Sequence, residues 1–143
     1  MEQPTLPEID IVSIIPQNHP FVMVDKLLAC TQQVIKTTFK IKIDNILVED
    51  GELSAAGLVE NIAQTAAAGS GYKANQTGTQ IAEGYIGAIK NLQIFALPKT
   101  DDVIETTVTV MDKVFSVTFI SGRVVCKNQL LAICEMKIFS SNN

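Results

Sequence analysis

Histidine is nearly absent from this 143-residue sequence: His19 is the only one. Cysteine is scarce too. Cys30, Cys126 and Cys134 show no CxxC spacing, and with a single histidine beside them a metal site is not expected. Cys126 and Cys134 lie in apolar, strand-like runs, so buried reduced thiols are expected. No basic run occurs, and the formal net charge is -4. Both facts argue against a nucleic-acid partner. No apolar stretch reaches the roughly 18 uninterrupted residues of a membrane helix. The opening residues, MEQPTLPEID, are acidic and lack a basic-then-apolar signal. A soluble, cytoplasmic protein is the expectation. No linker, repeat or low-complexity segment divides the chain, so residues 1–143 are read as one domain.

What is present is an ordinary globular mixture, 47% hydrophobic and 18% charged. "IDIVSIIP" reads as a short helix stopped by Pro16, and "FVMVDKLLAC" as a first strand. Ile35, Thr37, Phe39, Ile41 and Ile43 then alternate with Lys36, Thr38, Lys40 and Lys42. That period of two marks a strand with one solvated face. "DNILVEDGE" reads as a loop in which Glu49 and Asp50 are solvated. Four strand-like runs close the chain: "EGYIGAIKNLQIFAL", "DVIETTVTVMD", "VFSVTFISGRVVCK" and "QLLAICEMKIF". The breaks "PKTDD", "DK" and "KNQ" fit tight antiparallel connections. Phe115 and Phe119 fall at strand spacing and read as core.

Between the two groups of strands lies Leu53 to about Lys73. It holds six alanines and no proline, which favours a helix. Twenty residues of helix would span about 30 Å. From Leu53 to Tyr72 the only charge is Glu60. A helix without a charged face should be wrapped by the rest of the protein. A long antiparallel sheet curled around one helix, an α+β architecture, accounts for this order.

The lone carboxyl invites a chemical reading. Removing a carboxyl from water disfavours its charged form. A carboxyl still protonated near neutral pH can act as a general acid. Gln64 lies one turn further on the same face and can hydrogen-bond to Glu60. Gly57 would let a ligand approach the first turn, whose N–H groups suit a developing negative oxygen. The alternative is a structural glutamate satisfied by the backbone or by Gln64.

Three stretches resemble the hotdog-fold 3-hydroxyacyl-acyl-carrier-protein dehydratases. "IPQNHPFVMVDKLL" is similar to that family's opening Leu-Pro-His-Arg-Tyr-Pro-Phe pattern. "GLVENIAQ" is similar to its helix pattern of aliphatics, Glu, Ala and Gln. "GAIKNLQIFALPKTDDVI" is similar to the strand that ends in Pro-Gly-Asp, with Thr100-Asp101-Asp102 in place of that turn. The resemblance implies a hotdog fold and a substrate that is a 3-hydroxyacyl thioester of an acyl carrier protein, in fatty-acid or polyketide-type synthesis. It implies that Glu60 protonates the departing hydroxyl and that backbone N–H groups near Gly57 hold the thioester carbonyl. Pro16 and its neighbours would line the acyl tunnel. No metal or redox cofactor is implied. Family sheets join edge to edge, so a homodimer or a higher multiple is expected.

One departure stands out. The family's His-Phe-Pro-Gly motif lies fourteen residues before the acidic residue; here that offset falls on Ile46, in "NILVEDGELSAAG". The change resembles a divergent branch associated with aryl-polyene pigment clusters, which keeps the glutamate and lacks the motif. The family's other, N-terminal histidine corresponds to Gln17, and His19 falls on the family's Tyr. For His19 to supply the base, the "IPQNHP" segment must bring it to within roughly 4–8 Å of a Glu60 carboxyl, from the same or a partner subunit. Otherwise His19 is a loop residue without a chemical role. Two further readings stand beside the dehydratase: a hotdog thioesterase whose helix carboxylate activates water, and a degenerate subunit that stabilises an active partner. Lys36, Lys40 and Lys42 read as a solvated face, with docking of an acidic carrier protein as the sharper option.

Overall fold

The computed structural model describes residues 6–7, 10–81 and 83–140. The start of the expected first helix, at Ile9, lies outside them. Within them that helix is reduced to a single 3-10 turn, Ile11–Ser13, which buries Ile11. Strands β1 (Lys26–Cys30) and β2 (Val34–Lys40) pair antiparallel. A minimal hairpin, β3 (Val48–Glu49) and β4 (Glu52–Leu53), occupies the expected loop. Helix α1 (Ala55–Thr77) comes next, then β5 (Gly84–Ile94), β6 (Val103–Val114), β7 (Val117–Cys126) and β8 (Gln129–Ser140). The six long strands form one antiparallel sheet in the order β1-β2-β6-β7-β8-β5.

The sequence dictates most of α1. Its alanines favour helix. Ser54 caps it, accepting a hydrogen bond from the Gly57 N–H at 3.3 Å. Gly78, in the left-handed conformation, ends it a turn beyond the expected Lys73. Leu58, Ile62 and Ala68 are fully buried against Leu27, Ile104, Val108 and Val124 of the sheet. This is the hotdog arrangement: one helix wrapped by a long antiparallel sheet.

A chain of polar groups runs through that apolar core, and every member is satisfied. Thr65 Oγ1 donates to the Asn61 carbonyl at 2.8 Å and accepts from Thr37 Oγ1 of β2 at 2.7 Å. Asn61 Nδ2 donates to the Met23 carbonyl at 2.8 Å, while Thr106 of β6 donates to Asn61 Oδ1. Buried polar groups that are fully paired fix register, because any slip leaves several unsatisfied. They lock α1 on β2, on β6 and on the segment before β1.

Two expectations fail at the β6–β7 connection. The turn is not at Asp112-Lys113; β6 continues to Val114 and turns at Phe115-Ser116. Phe115 is therefore not core. It sits at the turn with φ +56° and is 97% exposed. Phe119 is half-buried, with Lys137 Nζ 5.9 Å from its ring centre. The first strand also starts later than expected. Phe21 to Asp25 precede β1 outside any strand, with Val22, Met23 and Val24 buried.

Candidate functional site

A cavity of about 1030 Å³ runs along one face of α1. Glu60 lies in its wall, followed along the helix by Ala63, Ala67, Ser70, Ala74 and Thr77. These positions recur at helical spacing, so the cavity follows the helix axis. Their small side chains leave the room. Ile35, Val110, Ile120 and Ile138 of the sheet form the apolar opposite wall, and Pro16 and Gln17 of the N-terminal segment also line it. Phe115 reaches it from the β6–β7 turn, and Tyr85 from the start of β5.

Glu60 is half-buried. Gln64 orients it: Nε2 donates to Glu60 Oε2 at 3.1 Å. The same Gln64 is fully buried and holds the N-terminal segment. Its Nε2 also donates to the Phe21 carbonyl at 2.8 Å, and its Oε1 accepts from the Met23 N–H at 2.6 Å. The expected pairing of Gln64 with Glu60 is formed. Gln64 does not itself line the cavity; it acts on the site by positioning what does.

Nearer the N-terminus, Ile14 is pinned to the helix. Its carbonyl oxygen rests on Gly71 so closely that a Cβ there would come within 1.7 Å of it. Pro16 and Gln17 fall between the pins at Ile14 and Phe21, and both reach the cavity. Asn18, His19 and Pro20 bulge outward and are exposed.

The sequence-derived site residues thus divide. Glu60 and Pro16 line the cavity. His19 is exposed and is not among the lining residues, so one chain does not bring a histidine to Glu60 through this cavity. Gly57 is buried, and it serves packing: a Cβ there would lie 2.5 Å from Leu53 Cδ1. Its N–H is already engaged by Ser54. Within the chain the Leu53 side chain thus covers the side of Gly57 where a Cβ would stand. Gln17 is the cavity residue that residue-by-residue reading passed over. The signal was its position, where the family opening has a histidine; an uncharged amide attracted no attention.

The turn Pro98–Asp102 secures the helix entrance. The Leu53 N–H donates to the Pro98 carbonyl at 2.9 Å and the Thr100 N–H to the Gly51 carbonyl at 2.9 Å. The Lys99 N–H donates to Asp102 Oδ2, and this bond, with Lys127 nearby, holds the Asp102 carboxyl below the usual carboxylate range. The three cysteines are free; Cys126 and Cys134 are buried as expected. Burial, then the charge of Glu135, pushes the Cys134 thiol up to about 11. Among the described residues, no cluster of three or more His, Cys, Asp or Glu could hold a metal ion. Among them, too, no helix is long and apolar enough to cross a membrane.

The family model described as the ApeP dehydratase, ApeP-like, matches residues 9–143. The chain belongs to the ApeP-like dehydratase family. No curated protein matches the sequence significantly. Among solved structures, the chain is similar to the dehydratase heterocomplex ApeI:P from Xenorhabdus doucetiae, with 14% identity and a TM-score of 0.87 over 98% of this chain and 94% of that one. It is similar to smu.793 from Streptococcus mutans UA159 bound to acetyl CoA, with 12% identity and a TM-score of 0.67 over 89% and 95% of the two chains. It also resembles a hypothetical thioesterase with coenzyme A from Streptococcus pneumoniae TIGR4, with 13% identity and a TM-score of 0.62 over 80% and 84%. At these identities the structural matches speak for the fold.

Proposed function

We propose that this chain dehydrates 3-hydroxyacyl thioesters carried on an acyl carrier protein, in fatty-acid or polyketide-type synthesis, in the cytoplasm and paired with a second hotdog subunit. The observation that carries this reading is Glu60: a carboxyl, oriented by Gln64, in the wall of a cavity that runs along the helix and is faced by Ile35, Val110, Ile120 and Ile138 of the sheet. Family membership supports it. The similar structures supply two supporting hints. One is a dehydratase heterocomplex, and others hold coenzyme A or acetyl CoA.

With His19 outside the cavity of its own chain, Glu60 is the acid–base group this chain brings to it. As a carboxylate it takes the C2 proton. The C2–H electron pair becomes the C2=C3 π bond while the C3–O bond breaks. The departing hydroxyl takes the same proton from Glu60 and leaves as water, and Glu60 is again a carboxylate. One carboxyl serves both transfers in turn, and no histidine is needed.

A second reading has its own observation. The exposure of His19 favours a non-catalytic subunit that stabilises an active partner. The test is an assay of the purified chain, alone and with any subunit that co-purifies, on 3-hydroxyacyl thioesters, following enoyl product and free thiol. Enoyl formation supports the dehydratase. Thiol release identifies a thioesterase. Neither product from the chain alone, with enoyl formation from the complex unaffected by Glu60→Gln, identifies the stabilising subunit. If Glu60 moves the protons, Glu60→Gln lowers the rate by about 100-fold or more with the fold intact.

A further inference from the structure

Strand β6 changes its alternation just before its end. Ile104, Thr106 and Val108 are buried on the face that meets α1, where Thr106 bonds Asn61. Continued to the tip, that period of two would turn Asp112 to the same face. A β-bulge between Val110 and Asp112 prevents it. Asp112 instead pairs with Phe119 and Lys113 with Thr118. Paired residues share a face of the sheet, so Lys113 and Thr118 point inward, and both line the cavity. Bulges re-aim side chains; this one replaces an anion by a cation at the cavity wall. A second cation stands at the same end. Lys73 of α1 lines the cavity, and its Nζ donates to the Gln32 carbonyl at 3.4 Å. The next carbonyl, of Gln33, accepts from the Val110 N–H at 2.7 Å. These bonds set Lys73 beside Val110, just before Lys113 on β6. Among the described residues the ion pair is Lys127 with Asp102, so neither cavity lysine is matched by a carboxylate. The carboxylate lining this end, Glu83, accepts from the Tyr85 hydroxyl at 2.8 Å.

We propose that Lys73 and Lys113 form a subsite for the phosphate of the pantetheine arm that carries the acyl thioester, so that the arm enters at the C-terminal end of α1. The inference rests on the dehydratase reading and adds the end from which the substrate comes. Two unmatched ammonium groups call for an anion, and lysine holds phosphate as a mobile point charge. Length points to the same ligand. From phosphorus to C2 of the thioester the arm counts about fifteen bonds, as many as five residues of extended chain, or roughly 17 Å. Residues 60 and 73 of α1 lie about 20 Å apart along the helix axis. With the phosphate at the lysines, the reacting carbons therefore arrive at Glu60. Ser70, between them on the helix and also lining the cavity, offers a hydroxyl to the amides of the arm. The Pro16 side of the cavity is left to the acyl tail.

The test uses the full chain, with any subunit that co-purifies, carrying Glu60→Gln to suppress turnover. Calorimetry at low salt measures the binding of 3-hydroxyoctanoyl thioesters of pantetheine and of 4′-phosphopantetheine, which differ by the phosphate alone. With both lysines intact the phosphorylated probe should bind about tenfold more tightly, and the gap should narrow as salt is raised. Lys73→Met combined with Lys113→Met should close the gap, leaving the melting temperature and the affinity for the pantetheine thioester unchanged. Equal binding with the lysines intact overturns the proposal. So does a gap that survives the double change, and so does an equal loss of affinity for both probes, which marks lysines that only shape the cavity. The same proteins are then given the 3-hydroxyoctanoyl chain on coenzyme A and on an acyl carrier protein. Weaker binding after the double change, with either, supports the subsite and tells which source of the phosphate it serves; weaker binding with neither overturns it. If no probe binds, the proposal falls together with the dehydratase reading. If the wild-type chain forms enoyl product from both pantetheine probes with the same KM, that reading stands and only the lysine subsite falls.

Discussion

Gln64 uses both ends of its amide inside the protein. It ties Glu60, the Phe21 carbonyl and the Met23 N–H to one point on α1. Gln64→Leu keeps the volume and strands the Met23 N–H and the Phe21 carbonyl. A buried group left unpaired costs about 1–3 kcal/mol. The expected loss is about 2–4 kcal/mol, read as a lower urea midpoint with an unchanged slope. A shift under about half a kcal/mol would mean that water replaces the amide. A second residue gives a pH test. The folded Cys134 thiol is pushed to about 11 from its ordinary value of 9.0, so its neutral form is favoured by the fold. That contribution is fully present below about pH 9. Above it the unfolded chain loses a proton the folded chain keeps, so stability falls as pH rises towards 11. Cys134→Ala should flatten this alkaline limb in urea melts taken from about pH 8 to 11. In the native protein Cys134 should react with a thiol reagent at about pH 8 much more slowly than in urea.

At the scale of elements, the segment before β1 is attached to α1 by a contact that only glycine allows. Gly71→Ala would gain about 1 kcal/mol in helix propensity. Against this stands a Cβ placed 1.7 Å from the Ile14 carbonyl oxygen. Backbone cannot yield as a side-chain tip does, and overpacking costs about 1–3 kcal/mol. With backbone on the far side the upper end of that cost applies, so the clash should win, with a net destabilisation of up to about 2 kcal/mol in thermal melts. Pro16 and Gln17 should shift with Ile14, so activity should fall further than stability. A stabilised Gly71→Ala variant would show that the segment moves freely.

The helix and the succession of the six long strands along the chain were legible in the sequence because alanine content and period-two alternation are local signals. The β6–β7 turn was not. "MDKVFSV" offers charged residues where the strand continues and a phenylalanine where it turns, and at Phe115 the pairing of β6 with β7 overrides a side chain that disfavours positive φ. In the site, Glu60 announced itself as a charge among alanines. At Gly57 a glycine at a helix start signals close approach without saying by what; within the chain Leu53 packs there. His19 lies outside its own chain's cavity for a reason the sequence does not carry. Which residues of "IPQNHP" face inward depends on the pins at Gly71 and Gln64, far away in the sequence.

For the whole molecule, the sheet is longer than its helix can cover. Helix α1 packs chiefly on β6, β1, β2 and β7 and less on β5. Strand β5 is an edge, paired with β8 on one side. It leaves Tyr85, Ile86, Ile89 and Leu92 exposed, with Phe95 just beyond. An eleven-residue edge strand with apolar side chains on it is a template for another chain. Exposed apolar patches of this kind mark interaction sites. A second hotdog subunit, joined along β5, would pair the edge and cover these side chains. Light scattering at micromolar concentration should therefore give at least twice the 15.5 kDa of one chain. Mass spectrometry of the same sample separates two copies of this chain from a mixed pair. Ile89→Asp places a charge in the centre of the contact and should weaken assembly by about tenfold or more, leaving a folded monomer. A wild-type chain that stays monomeric, with Ile89→Asp indistinguishable from it, would leave β5 as a tolerated free edge and remove the paired subunit from the proposed function.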